Sequence, residues 1–149
     1  MQVGEYCTRE VVVASRDADV AEAARLMREY HVGTVVVVEE GATGNRPVAI
    51  VTDRDLVIEV LAPGLDPTGL RVSDLPTMDL LSLKQTDDLM SAMERMRAHG
   101  VRRAPVVDDD NRLQGLLSMD DVLSAMAELL GNMTSLMNRE LRSEMDHRP

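Results

Sequence analysis

A hydroxyl residue followed three positions later by an aspartate occurs twice in the sequence, each time at the end of an apolar run. The first corner contains Thr52 and Asp55, in VAIVTDRDLV, and the second corner contains Ser118 and Asp121, in LQGLLSMDDV. Each apolar run is typical of a β-strand, and the residues after each aspartate have the pattern of a helix. The free amides and the positive dipole end of a helix N-terminus favour oxygen-rich ligands. Two such corners in one small chain predict a paired ligand site.

A pair of arginines, Arg102 and Arg103, precedes an apolar run in the second half of the chain, and guanidinium groups there could neutralise a phosphate. The matching positions of the first half hold Gly33 and Thr34. We therefore expect the tighter site for a phosphorylated ligand to combine the second corner with both arginines. The first corner, which lacks them, is expected to bind phosphorylated ligands weakly or not at all.

The two corners belong to a longer internal repeat. Thr52 and Ser118 are 66 residues apart, whereas the upstream positions Val37 and Val106 are 69 apart, so one loop absorbs the difference. A repeat of this length that occurs only twice indicates a duplicated half-domain, not an open array of repeats.

Hydrophobic periodicity predicts the order β-α-β-β-α in each half. A capping box at Asp19 and Glu22 begins the first helix, which we expect to run to about Tyr30 with Gly33 as its terminator, while Asp53 is expected to cap the second. A loop is predicted from 39 to 47. The predicted strands are Val11–Ala14, Thr34–Val38, Val48–Thr52, Leu80–Leu83, Ala104–Val107 and Leu113–Ser118. The predicted helices are the one that ends at about Tyr30, Arg54–Leu61, Asp88–Ala98 and one that begins at Asp120.

Composition and charge exclude several classes of protein. The chain has 149 residues, 44% of them hydrophobic, which is enough for one globular domain. Its formal charge of −10 opposes binding to nucleic acid or to an anionic membrane. A single cysteine, Cys7, forms no internal disulfide, and no signal peptide or apolar span of membrane length is visible. We expect a soluble cytoplasmic protein.

In their order and spacing, five segments resemble a tandem pair of cystathionine-β-synthase (CBS) domains, the Bateman module. They are AIVTDRDL, GLLSMDDVL, HGVRRAPVVD, VGTVVVVEE and RVSDL. The resemblance implies an α/β (α+β) fold in which two β-α-β-β-α motifs pack with pseudo-twofold symmetry. It implies a first CBS motif at 1–62, a linker at 63–71, a second motif at 72–130 and a C-terminal helical extension at 131–149.

The resemblance also implies two clefts that in many relatives hold AMP, ADP, ATP or S-adenosylmethionine. By resemblance to the family's S/T-x-x-D element, Asp55 and Asp121 would accept the ribose hydroxyls, and Thr52 and Ser118 could donate to a phosphate. The alternative is purely structural: the hydroxyls cap helices and the carboxylates complement helix dipoles. Asp120 adds negative charge near any phosphate, which a bound Mg²⁺ could relieve, although no metal site is predicted.

These features predict a non-catalytic regulatory module that binds an adenine nucleotide or a related adenosyl ligand and has no obligatory cofactor. A ligand-free interaction scaffold with vestigial clefts is the alternative. An enzyme is not predicted, because no nucleophile–base pair, metal-ligand cluster or glycine-rich phosphate loop is visible.

Apolar helix faces predict a homodimer that buries the helices following the two corners. In the C-terminal extension, Met126, Leu130, Met133 and Met137 form an apolar stripe that predicts a further dimer contact. Gly131 could break or bend this helix. A frayed tail, especially from residue 143 onward, is the alternative.

Overall fold

The computed structural model describes residues 1–76 and 79–148. Two three-stranded sheets carry the structure, one in each half of the chain. In chain order the first half contains α1 (Val3–Tyr6), β1 (Val13–Ser15), α2 (Val20–Tyr30), β2 (Thr34–Gly41), β3 (Gly44–Thr52) and α3 (Asp53–Leu56), which continues as a π-helical turn (Val57–Leu61). A 3₁₀ turn (Val72–Asp74) leads to β4 (Leu83–Lys84), α4 (Leu89–His99), β5 (Arg103–Val107), β6 (Leu113–Ser118) and α5 (Met119–Asp146).

The two sheets have the same topology. In the first, β1 is parallel to β2 and β2 is antiparallel to β3; in the second, β4, β5 and β6 repeat this arrangement. Even the irregularity is repeated, because the register shifts between Val37 and Val38 in one half and between Val106 and Val107 in the other. The predicted fold of two repeated α/β motifs is confirmed.

Helices α2 and α4 begin where predicted, and α2 ends at Tyr30 as predicted, but Gly33 is not the residue that terminates it. Asp19 accepts a hydrogen bond from the Glu22 amide at the start of α2, and Asp88 does the same for the first turn of α4. His31, in the left-handed conformation with φ 52°, is the C-terminal cap of α2. Gly33 is instead a point of close approach, because a Cβ there would lie 3.0 Å from the Asp53 carboxylate.

The prediction of a loop at 39–47 is wrong, because most of this segment belongs to the two strands of a hairpin. Strand β2 runs to Gly41 and β3 begins at Gly44, which leaves a turn of two residues. An ion pair between Glu39 and Arg46, which face each other across the strands, supports the extension. The glycines that favoured a loop flank the tight turn.

Each hydrophobic core is completed by a short segment from elsewhere in the chain. The segment before the first half packs into the core of the second half, and the segment before the second half packs into the core of the first. Val3, from α1, is fully buried with Leu83 and Leu117 in the second half, and its amide donates to the Asp87 carbonyl at 2.9 Å. Val72 and Leu75 are buried in the core of the first half. The two halves therefore exchange short segments.

Helix α5 is continuous over 28 residues. Gly131 does not break it, and residues 143–146 are helical rather than frayed. Only Val122 and Ala125 of this helix are buried. Within residues 1–76 and 79–148, no helix is both long and apolar enough to cross a membrane.

Candidate functional site

The first corner is a capping box. Thr52, and not Asp53 as expected, is the N-terminal cap of α3: its hydroxyl accepts a hydrogen bond from the Asp55 amide at 3.2 Å. The Asp55 Oδ2 atom accepts from the Thr52 amide at 2.8 Å. An extended conformation at Thr52, with φ −109° and ψ 162°, aims the hydroxyl at the first turn. Thr52 and Asp55 therefore do cap the helix, while Asp55 Oδ1 has no hydrogen-bond partner among the described residues and can accept from a ligand.

The second corner has the same geometry with one more hydrogen bond. The Ser118 hydroxyl accepts from the Asp121 amide at 3.1 Å, and Asp121 Oδ2 accepts from the Ser118 amide at 2.8 Å. The Ser118 hydroxyl also donates to Asp121 Oδ2 at 2.8 Å. Its hydrogen is therefore already used within the corner, whereas the Thr52 hydroxyl makes no such bond to Asp55.

A cavity of about 490 Å³, here named the Thr52 cleft, lies beside the first corner. The polar corner, apolar side chains, and residues at and just before the start of β5 all line this cavity. The lining residues are Ile50, Thr52, Asp53, Arg54, Asp55, Pro76, Asp79, Leu80, Leu81, Gly100, Val101, Arg102 and Arg103. This volume is within the usual range for small-molecule sites.

A smaller cavity of about 300 Å³, here named the Ser118 cleft, lies beside the second corner. Its walls come from the second corner, from the segment before β1 and from the residues just before β2. The lining residues are Thr8, Glu10, Val11, Val12, His31, Val32, Gly33, Thr34, Arg103, Leu116, Ser118 and Asp121.

The structure corrects the expected grouping of the site residues. Arg102 lines the Thr52 cleft and not the Ser118 cleft, while Arg103 lines both. The reason is that β3 contacts β6, so each corner faces the strand start of the other half. Arg103 also pairs with Ser118 across β5 and β6 and so stays beside the second corner. The twin arginines therefore accompany Thr52 and Asp55, which the sequence had left without cations.

Charge differs between the two clefts. Three arginines (Arg54, Arg102 and Arg103) and three carboxylates (Asp53, Asp55 and Asp79) line the Thr52 cleft. In the Ser118 cleft, Arg103 is accompanied by Glu10 and Asp121. Neither the Arg102 nor the Arg103 guanidinium makes a hydrogen bond or an ion pair with a described residue. Both guanidinium groups are therefore available to an anionic ligand.

Thr34 is a residue that the sequence analysis did not select. It is 7% exposed, it lines the Ser118 cleft, and its hydroxyl has no hydrogen-bond partner among the described residues. A buried hydroxyl without a partner is costly, so a polar ligand atom is a natural partner for it. The signal was its polar side chain within a β-branched run, at the position that matches Arg103.

A third cavity, of about 610 Å³, lies between the two hairpin ends, where hydrogen bonds connect the two halves. Arg112 Nε pairs with Asp108 at 2.8 Å, and Arg112 Nη1 donates to the Thr43 carbonyl of the other half at 3.1 Å. Hydrogen bonding, first from the Arg112 amide, lowers the pKa of Asp108. Because Arg112 and Asp108 already bond to protein groups, they offer few hydrogen bonds to a ligand in this cavity.

Metal ligands and a reactive thiol are not part of this site. The described ranges hold no group of three or more His, Cys, Asp or Glu residues that could bind a metal ion. Cys7 is half-buried, and burial raises the pKa of its thiol. A raised pKa reduces the thiolate fraction, so Cys7 is a poor nucleophile.

The family follows from comparison with known proteins. A model of the CBS domain matches residues 3–62 and again residues 72–128. The chain belongs to the CBS domain family and contains two copies of the domain in tandem. It is 32% identical to the CBS domain-containing protein YhcV of Bacillus subtilis over 120 residues, which are 80% of this chain and 81% of that protein.

Two solved structures share the fold. The hexameric CBS-CP12 protein from bloom-forming cyanobacteria is 28% identical, with a TM-score of 0.71 over 83% of this chain and 69% of that one. A CBS domain pair in complex with 5′-methylthioadenosine and S-adenosyl-L-methionine has a TM-score of 0.72 over 85% of this chain and 99% of that one. Its identity of 18% makes this second likeness one of fold alone.

Proposed function

We propose that the protein is a non-catalytic regulatory module that binds a phosphorylated adenosine ligand, such as AMP, ADP or ATP, in the Thr52 cleft. One observation carries the proposal: Arg102 and Arg103, whose guanidinium groups pair with no described residue, line the same cavity of about 490 Å³ as Asp55, whose Oδ1 atom has no hydrogen-bond partner among the described residues. A cleft with this combination can hold a phosphate and a diol at the same time.

Each part of such a ligand has a matching group. Asp55 Oδ1 can accept from a ribose hydroxyl, and the Thr52 hydroxyl can donate to a phosphate oxygen. The apolar side chains of Ile50, Leu80 and Val101 offer a surface for the adenine ring. For a triphosphate, a Mg²⁺ ion carried by the ligand would offset the nearby carboxylates.

The Ser118 cleft suits a different adenosyl ligand. It is smaller, it has one arginine against two carboxylates, and it contains the unpaired Thr34 hydroxyl. An uncharged or cationic ligand, such as S-adenosylmethionine, is less affected by these carboxylates than a polyphosphate. That a CBS domain pair of the same fold was solved with methylthioadenosine and S-adenosylmethionine supports this ligand class.

Regulation would act through the geometry of the two halves. Both clefts are lined by residues of both halves, so a bound ligand contacts both CBS motifs at once. A ligand that prefers one arrangement of the halves shifts the population toward it and alters the surface offered to a second copy or to a regulated protein.

A ligand-free scaffold is the second candidate, and the corners themselves favour it. Thr52 and Ser118 both cap helices, so their presence is explained without any ligand. This candidate leaves the unpaired arginines of the Thr52 cleft without a role.

Calorimetric titration with AMP, ATP, S-adenosylmethionine, methylthioadenosine and adenosine at physiological ionic strength tests the proposal. Arg102→Ala should weaken AMP and ATP binding by roughly 10- to 150-fold, the cost of a lost charge-assisted hydrogen bond. Adenosine binding should change little, since only the phosphate uses the guanidinium. Arg97→Ala, an exposed arginine of α4 outside both clefts, is the matched control. Absence of heat with every ligand would favour the scaffold.

A further inference from the structure

Helix α5 carries an apolar stripe that its own domain does not cover. Leu123, Met126, Leu130, Met133 and Met137 are spaced by three and four residues in turn, with Leu129 and Leu136 beside them. These seven side chains are between 46% and 70% exposed. We call them the C-terminal stripe. Its spacing is that of a coiled-coil seam, which requires a partner helix.

The stripe separates from the body of the protein as the helix proceeds. Val122 and Ala125 hold the first turns of α5 against the second half, and every residue described after Ala125 is exposed. The match to the CBS domain ends at residue 128, so most of the stripe lies in the extension. The core of the CBS pair therefore provides no cover for it.

Charge and area favour a second copy of this chain as the partner. Helix α5 carries six carboxylates and two arginines, and a chain with a formal charge of −10 is repelled by anionic lipid. The seven side chains expose on the order of 700 Å², close to the ~800 Å² that each partner contributes to a standard interface. An uncharged seam can pair with itself across a twofold axis.

Two glutamates decide the orientation of the pair. Glu140 and Glu144 continue the three-and-four spacing beyond Met137. In a parallel pair each would face its own copy in the seam, which is destabilising. An antiparallel pair centred between Gly131 and Asn132 avoids this repulsion. It places Leu130 opposite Met133, Met126 opposite Met137, and Glu140 opposite Leu123.

We propose that the C-terminal stripe pairs in antiparallel orientation with the same stripe of a second copy and so forms a homodimer. The stripe of this dimerisation helix then begins within the second CBS motif and lies mostly beyond it. This proposal is independent of ligand binding and stands or fails separately from it.

Sedimentation velocity of the full chain across the micromolar range is the first test. We expect a dimer, and Met133→Glu combined with Met137→Glu should convert it to a monomer, because the change buries charge in the seam. Ser135→Glu combined with Asn138→Glu adds the same charge outside the stripe and should leave the dimer intact. Circular dichroism verifies that both variants remain folded.

Disulfide trapping tests the orientation without disrupting the fold. In a Cys7→Ser background, a mixture of Met126→Cys and Met137→Cys chains should cross-link under mild oxidation, whereas Met137→Cys alone should not. Self-cross-linking of Met137→Cys would establish a parallel pair and overturn the proposal. So would a monomeric wild type, a dimer that survives the double glutamate change, or a monomer that sediments with phosphatidylserine vesicles.

Discussion

The Thr52 cleft and the Ser118 cleft are built from equivalent segments of two repeats, yet they offer different chemistry. Each combines a capping corner from one half with a strand start from the other. In the Thr52 cleft the strand start supplies Arg102 and Arg103; in the Ser118 cleft it supplies Gly33 and Thr34. The corners are nearly identical, so the strand starts account for the difference in charge and polarity between the two clefts.

Under the proposed function, one duplicated fold would have two ligand specificities. Each cleft combines the corner of one repeat with the strand start of the other. A substitution at the strand start of one repeat therefore alters the cleft that contains the corner of the other repeat. Arg103 lines both clefts, so under the proposed function an anionic ligand in one cleft would compete for a group that the other cleft also offers.

Removing the carboxylate charge at each corner should give the largest contrast. Asp55→Asn should weaken AMP binding by roughly 10- to 150-fold, because a charge-assisted acceptor for the ribose is lost. Asp121→Asn, the matched change in the other cleft, should leave AMP binding nearly unchanged. Asparagine retains an oxygen for the capping box, and thermal melts verify that both variants fold. Calorimetry that finds the reverse order would assign the phosphorylated ligand to the Ser118 cleft.

Gly115 and Ala49 occupy matched positions of β6 and β3, and exchanging them should affect stability unequally. A Cβ at Gly115 would lie 2.7 Å from the Thr8 carbonyl oxygen and 2.8 Å from the Cys7 sulfur, so the backbone must shift. We expect Gly115→Ala to cost about 1–3 kcal/mol, a fall of about 2–4 °C in Tm for each kcal/mol. Ala49→Gly should cost no more than about 1 kcal/mol. Equal losses in differential scanning calorimetry would contradict the close approach at Gly115.

Thr34→Val should separate ligand binding from stability in the Ser118 cleft. Valine has nearly the same shape and removes a buried hydroxyl without a partner, so the free energy of unfolding should stay constant or rise by up to about 1 kcal/mol. Binding of S-adenosylmethionine or methylthioadenosine should weaken by up to about 10-fold, while Thr34→Ser should retain it. Chemical denaturation and calorimetry on the same samples give both quantities. A clear loss of stability in Thr34→Val would show that the hydroxyl already has a partner.

Much of the fold could be predicted from the sequence because its signals are local. Capping residues such as Asp19 and Asp88, and the apolar runs of the strands, depend on neighbours a few positions away. Gly131 suggested a break in α5, but a single glycine costs only about 1 kcal/mol in a helix. The leucine, alanine and methionine residues on either side outweigh that cost.

The composition of the clefts could not be predicted in the same way. Adjacency along the chain favoured placing Arg102 with Ser118, but packing of the two sheets brings it to Thr52. That contact depends on how β3 meets β6, which no local pattern encodes. Thr34 was concealed for a similar reason, since only the three-dimensional structure shows that its hydroxyl is buried and unpaired.

The exchange of segments between the halves also sets an order of events during synthesis. Val3 is made before every other residue of its core cluster, which includes Leu83 and Leu117. The first half likewise waits for Val72 and Leu75 before its interior is filled. Contacts between residues so distant in the sequence form slowly and lower the folding rate. A ribosome-bound chain that stops in the linker would therefore hold one half with a gap in its interior and a loose amino-terminal segment whose partners do not yet exist.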